Sequence, residues 1–224
     1  MAFVNNKYHP VNNKPWQTIV DLNMPIVIHK TDVSPPARAA LIVIELLGLE
    51  VKTQEVNLPT RDQYQREYLE KNPLHSVPLL EDEGLILADK AQQTLYPKDV
   101  AARAIVDQRL FFDASILFPR LRSAIYSLVK FRAPGLADEQ VSDIRECYDI
   151  TEKYLVKEFI AGSKFTLADI SCVATLSSLD CIIPINEKYV KLHEWWGRLQ
   201  REIWYQKINE PGLKIFDRFM KQFL

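Results

Sequence analysis

The chain has 224 residues, 47% of them apolar and 25% charged, with 28 Lys and Arg against 29 Asp and Glu. That length and composition allow one large or two small domains with a real core, and a net charge of −1 lacks the basic excess of a nucleic-acid surface. The longest apolar run, residues 41–49, is interrupted by Glu45 and is too short to cross a bilayer, so no membrane partner is expected.

Residues 1–23 are rich in Asn, Lys and Pro and have no periodicity. They lack the apolar stretch of a secretory signal and read as a disordered extension. Met24 stands just before the first strand, so the folded part is expected to begin there. Residues 25–29 then read as a strand, residues 36–47 as a helix and residues 51–58 as a second strand. Between the first strand and the helix lies TDVSPP, with Ser34 at the tip of the corner. Proline suits the start of a helix because its ring fixes φ and its missing N–H would be unpaired there. Gly48 is placed to close the helix. Free backbone N–H groups and the positive end of the helix dipole are expected to converge at Ser34. Two roles are open to it: a simple helix cap, or a hydroxyl donor to a bound anion.

Residues 61–71 read as a helix with Tyr64 and Tyr68 on one face. Residues 77–81 and 85–88, joined by Asp82-Glu83-Gly84, read as a hairpin. Pro78 fits a paired strand badly unless its peptide bond is cis. After Asp89 strands stop. Thr94-Leu95-Tyr96-Pro97 reads as a linker into a run of helices. The run 100–121 is amphipathic, with Pro119 expected to kink or end it, and a further helix follows around residues 141–155. Thr166-Leu167-Ala168-Asp169 fits a short capping box ahead of a central helix over residues 167–181. Two more helices are expected at 192–202 and 213–224. The three cysteines, Cys147, Cys172 and Cys181, form no CxxC and read as buried residues of a reducing compartment. His9, His29, His75 and His193 are scattered, which gives no metal-ligand spacing.

The segments TDVSPPAR, KNPLHSVPLLED, TLYPKD, RAIVDQRLFFDAS and FTLADISCVATLSSLD stand in this order. Together they resemble the cytosolic glutathione transferases of the insect delta/epsilon type, over residues 24–224. The resemblance implies a thioredoxin-like α/β glutathione-binding domain at residues 24–92 and an all-α domain at residues 93–224. It implies a cytoplasmic homodimer that uses glutathione as co-substrate, without metal, to detoxify small-molecule electrophiles.

The resemblance also implies roles. Ser34 matches the serine that stabilises the glutathione thiolate; an unperturbed thiol titrates near pH 8.5, so without help little is ionised at neutral pH (about 8.5 for free Cys). Val77 and Pro78 match the step whose backbone pairs with the glutathione cysteine. His75 matches a histidine contacting the glycine end, and Gln63 stands where the family often has histidine. Asp89 matches the acid that meets the γ-glutamyl end. Phe112, Leu117, Phe118, Leu121 and Arg122 match the region of the electrophile pocket, although the apolar ones are also what any helical core needs, and Arg122 equally suits a solvated helix face.

One departure stands out. Lys90 follows Asp89 where the family has serine, and AQQ runs directly into TLYPKD. A helix of about a dozen residues is missing relative to the family's pattern. Two functions are therefore kept open: conjugation of glutathione to apolar electrophiles, and a weakened or non-catalytic relative that binds apolar ligands. A thiol–disulfide oxidoreductase is disfavoured, because no cysteine lies near the first helix.

Overall fold

The computed structural model describes residues 26–82 and 95–224. The extension at 1–23, the second hairpin run at 85–88 and the Asp89–Lys90 step lie outside them. Among the described residues three strands form one sheet in the order β2-β1-β3: β1 (Ile26–Lys30), β2 (Val51–Glu55) and β3 (Leu79–Glu81). β1 runs parallel to β2, pairing Ile26 with Val51 and Lys30 with Glu55, and antiparallel to β3, pairing His29 with Leu79. β2 ends at Glu55, three residues earlier than its sequence pattern suggests. The amide of Val56 makes a last bond to the Lys30 carbonyl (2.8 Å), and the chain then turns away. As an edge strand, β2 keeps only Val51 even half-buried.

Helix α1 (Pro35–Leu47) follows β1. Its end is fixed by Gly48 in the left-handed region (φ 63°), with Gly48 N–H bonded to the Glu45 carbonyl and Leu49 N–H to the Ile44 carbonyl, each 3.1 Å. A residue with a side chain would adopt that φ at a cost, and glycine does not. The expected single helix over residues 61–71 is instead a 3₁₀ turn (Asp62–Tyr64) and a separate α2 (Arg66–Lys71). The extended backbone of Gln65 (ψ 145°) separates them. Tyr64 and Tyr68 therefore do not share a face: Tyr64 is half exposed and Tyr68 is buried.

The remaining elements are helical: α3 (Val100–Phe112), α4 (Phe118–Ile125), α5 (Asp138–Tyr154), α6 (Leu167–Asp180), α7 (Val190–Leu199) and α8 (Glu210–Met220). The linker is pinned to α3 by the Tyr96 hydroxyl, which donates to Asp107 (2.6 Å), and Asp99 caps α3 by accepting from the Ala102 amide (2.8 Å). Pro119 does not end its helix. A π-turn (Asp113–Leu117) precedes α4, and Pro119 sits at the second position of α4, where the backbone has already left the i−4 pattern that proline would block. α6 is the central helix, with eleven of its fourteen residues buried. The Thr166–Asp169 pair caps it as a wider device than a capping box. The Asp169 carboxylate accepts from the Thr166 amide (2.9 Å) and hydroxyl (3.1 Å), the Ile160 amide (2.9 Å) and the Trp195 indole (2.8 Å). Burial pushes this carboxyl above its ordinary range, and those four bonds pull it back.

The sheet unit and the helical unit share one core. Ile42 of α1 joins Leu117, Leu121, Leu176 and Trp195 in a single buried cluster. Between the units lies Arg38, fully buried. Its Nε donates to Asn209 Oδ1 (2.8 Å), Nη1 to the carbonyls of Asp32 (3.2 Å) and Val33 (3.0 Å), and Nη2 to the Ala174 carbonyl (3.0 Å) and Ser178 Oγ (2.6 Å). All five N–H donors of the guanidinium are thus matched. Burial lowers its pKa to about 10, which leaves it cationic at neutral pH. Gly212, near the start of α8, makes this approach possible: a Cβ there would lie 2.3 Å from the Asp32 carbonyl oxygen and 2.7 Å from Arg38 Cδ.

Alanine favours a helix over glycine by about 1 kcal/mol, but the backbone carbonyl of Asp32 has nowhere to go. Gly212→Ala is therefore expected to destabilise the chain by about 1–3 kcal/mol, the range of overpacked sites. Urea unfolding measures it, and a variant as stable as the parent would show that this contact is not tight.

Candidate active site

Strand direction decides where the candidate residues meet. The carboxyl ends of β1 and β2 lie together because the strands are parallel, and the start of β3 lies beside them because His29 pairs with Leu79. Ser34 follows β1, Gln63 follows β2, and His75, Val77 and Pro78 precede β3. All five stand at the carboxyl edge of the parallel pair, where ligands bind in open α/β sheets.

Ser34 is half-buried. Its amide donates to the Thr31 carbonyl (3.1 Å), its carbonyl accepts from Arg38 (2.9 Å), and its Oγ accepts a long bond from the Ala37 amide (3.4 Å). The expectation of several free backbone N–H groups here does not hold. Pro35 and Pro36 occupy the first two helical positions and have none, and the amides of Ala37 and Arg38 already turn back to Ser34. What remains at this helix start is the dipole and the serine O–H, which no described acceptor takes up. Capping uses a lone pair of Oγ and donation uses its hydrogen, so the two roles of Ser34 are compatible.

The Val77–Pro78 peptide bond is cis. His75 is exposed, sits in the left-handed region (φ 43°) and stacks on Tyr64 with ring centroids 4.8 Å apart. Gln63 places its Oε1 in a buried position with no hydrogen-bond partner among the described residues. Asp89 lies outside the described residues.

The five residues expected to line an electrophile pocket separate. Phe112, Leu117 and Leu121 are core residues, at most 5% exposed, and line no open surface in this structure. The reason is that helical spacing turns them inward against α5 and α6. Phe118 is half-buried. Arg122 is exposed and donates to the Tyr126 hydroxyl (2.9 Å) with its guanidinium 5.0 Å from that ring. Two recesses, about 320 Å³ beside Leu155 and Trp195 and about 200 Å³ between Ala40, Leu110 and Ser171, contain none of the predicted residues.

The sequence alone assigns no role to Arg38, Asn72 or Asp113, and places Tyr68 only on a helix face with Tyr64. Arg38 carried a signal, a lone charge in the otherwise uncharged run PPARAALIVI. Asp113, at the π-turn, is buried, bonds the Ser171 hydroxyl through Oδ2 and leaves Oδ1 unpartnered among the described residues. The three thiols are free, and burial raises each above its ordinary value, Cys181 to about 12, which leaves them protonated. Among the described residues no group of three or more His, Cys, Asp or Glu gathers in a way that would hold a metal, and no helix is long and apolar enough to cross a membrane.

Sheet, edge and helical unit together are those of a known enzyme family. The profile of the glutathione S-transferase N-terminal domain matches residues 28–90, and that of the C-terminal domain matches residues 117–202. Glutathione S-transferase 1 of Manduca sexta is 40% identical over 204 residues, 84% of this chain and 94% of that protein. A glutathione transferase homologue from Drosophila mojavensis, solved with bound glutathione, aligns with a TM-score of 0.83 at 33% identity over 89% of this chain and 97% of its own. An epsilon-class glutathione S-transferase from the housefly, Musca domestica, aligns with a TM-score of 0.82 at 33% identity over 88% and 97%. The chain belongs to the glutathione transferase family, with the thioredoxin-like N-terminal domain and helical C-terminal domain of that family. It is a transferase with glutathione as its co-substrate.

Burial lifts the Asp113 carboxyl from 3.8 to about 6, with Ser171 and Thr175 pulling the other way. Between those values the folded chain holds a proton that the unfolded chain releases. The stability this lends is full below about pH 4 and is lost as the pH rises through about 6. Asp113→Asn is neutral throughout, so its stability relative to the parent should rise between pH 4 and pH 7 by up to about 3 kcal/mol. Urea melts at both pH values test this; a constant difference would mean that Asp113 titrates as an ordinary carboxylate.

Proposed function

We propose that the chain joins reduced glutathione to small apolar electrophiles, with the Ser34 hydroxyl holding the glutathione thiolate. The single observation that carries this is the unspent O–H of Ser34 at a helix start stripped of other donors by Pro35 and Pro36. In the reaction the thiol proton passes to solvent, the sulfur forms a bond to the electrophilic carbon, and the leaving group departs with its electron pair. Val77, preceding the cis proline, would pair its backbone with the cysteine of glutathione, while Gln63 and His75 would hold the glycine end and Asp89 the γ-glutamyl amine. Phe118 and Arg122, which keep access, are the residues of the predicted electrophile set best placed to meet the second substrate. The family context supports a cytoplasmic homodimer engaged in detoxification, with residues 24–92 binding glutathione and residues 93–224 forming the helical unit.

A second reading, a weakened relative that binds apolar ligands without turnover, is favoured by one sequence observation: Lys90 stands where the family has serine. Lysine can attract a carboxylate but, as a flexible and strongly hydrated point charge, fixes no geometry.

A hydrogen bond to a charged group contributes about 1.5–3 kcal/mol, or about one to two pKa units. Ser34→Ala should therefore raise the kinetic pKa of bound glutathione by about one to two units and lower kcat/KM at neutral pH by about 10- to 100-fold. Activity should recover at high pH, where the thiol ionises unaided. A loss equal at all pH values would assign Ser34 to capping alone, and a parent with no turnover at any pH would favour the second reading.

A further inference from the structure

The residue before the Val77–Pro78 step is held from outside the edge. The Ser76 carbonyl accepts from the Tyr68 hydroxyl (2.6 Å) and from Asn72 Nδ2 (2.8 Å). Tyr68 lies on α2, and Asn72 immediately follows it. Both donors are themselves fixed. The Tyr68 ring is buried and sits edge-on to His29, with centroids 5.7 Å apart. Asn72 donates its amide to the Tyr68 carbonyl (2.8 Å), accepts the Leu74 amide on Oδ1 (3.1 Å) and accepts the His75 amide on its own carbonyl (2.9 Å). α2 is tied to β3 in turn by Lys71 Nζ and Glu81 (2.8 Å), and Glu81 also contacts the buried His29. Burial raises the Tyr68 phenol above its ordinary value, so it stays a donor across the working pH range.

The Ser76–Val77 peptide is trans and therefore planar, with its C=O and N–H pointing in opposite directions. Two bonds on the carbonyl fix the plane and so fix the direction of the Val77 N–H. Among the described residues that N–H reaches no protein acceptor.

We propose that Tyr68 and Asn72 are positioning residues for glutathione: by holding the Ser76 carbonyl they aim the Val77 amide at the carbonyl of the glutathione cysteine. This rests on the reading that the Val77 backbone pairs with that cysteine. Neither residue touches substrate, and neither is part of the thiolate machinery at Ser34. Their effect belongs in glutathione affinity and not in the chemical step.

The test is steady-state kinetics of the full chain with 1-chloro-2,4-dinitrobenzene as electrophile, with calorimetric titration of glutathione alongside. Tyr68→Phe removes one hydroxyl and keeps the buried ring. Asn72→Ala removes the other donor and carries the test if Tyr68→Phe does not fold. Each should raise the KM and Kd of glutathione about 3- to 10-fold, the effect of one lost hydrogen bond. Both kcat and the pH midpoint set by Ser34 should stay near the parent values. A KM for glutathione unchanged in both variants overturns the proposal. So does a fall in kcat with a shifted pH midpoint at unchanged glutathione KM, which would place the effect at the thiolate. If the parent chain itself gives no calorimetric signal with glutathione, the reading of the edge as a glutathione site fails, and the positioning role with it. If the parent binds and the variants match it, only the positioning role fails.

Discussion

A buried guanidinium without a carboxylate partner organises this molecule. Arg38 rises from α1 into the seam between the sheet unit and the helical unit, and its charge is met by carbonyls, a hydroxyl and a side-chain amide from three different segments. A second buried ion would have added its own desolvation penalty; dipoles in fixed positions satisfy every N–H without it. Two of those dipoles are the carbonyls of Asp32 and Val33, the residues directly before Ser34. The corner that presents the serine is therefore shaped by helices more than a hundred residues later in the chain, through Ala174, Ser178 and Asn209. Gly212 belongs to the same construction, since only a residue without Cβ lets α8 approach the Asp32 carbonyl. The corner at Ser34, carried by one unit, thus depends for its geometry on the other.

Hydrogen-bond satisfaction differs across the structure in an informative way. The seam at Arg38 and the cap at Asp169 use their polar atoms fully. At the carboxyl edge, the Ser34 O–H, the Gln63 amide oxygen and the Val77 N–H are all left over among the described residues. Native interiors pair nearly all their buried polar groups, so the buried Gln63 oxygen is the exception of the three, while Ser34 and Val77 are only half-buried. The two prolines remove competing N–H groups from the helix start. The dipole then acts together with a single hydroxyl, and not with the cradle of backbone amides that a phosphate site would use.

In the helical unit, one stretch of chain divides its side chains between core and surface. Phe112, Leu117 and Leu121 fill the core, whereas Phe118 and Arg122, on the same stretch of chain, keep access to the surface. The π-turn at Asp113–Leu117 sets this division, because an inserted residue rotates everything after it relative to α3. It also buries Asp113 against Ser171 of α6, which gives the unit a carboxyl whose charge state depends on pH near neutrality.

Local chemistry was enough to read much of this protein. Ser34 followed by two prolines and an apolar helix ending at Gly48, a proline misplaced in a strand at residue 78, and Thr166 spaced three from Asp169 each state a backbone conformation in a few residues, because φ restriction and capping are local effects. The order of five such motifs pointed to the glutathione transferase family and to the residues of the edge. Only the tertiary structure decided which side chains face the core. Helical periodicity marks an apolar face but not what covers it, so Leu117 and Leu121 looked as available as Phe118. The break at Gln65, the π-turn before Pro119 and the roles of Arg38 and Tyr68 were likewise out of reach. Arg38 depends on partners distant in sequence, and a hydrogen bond between residues 38 and 209 leaves no periodic trace in either segment; Tyr68 depends on the path of a turn eight residues on, which no periodicity specifies.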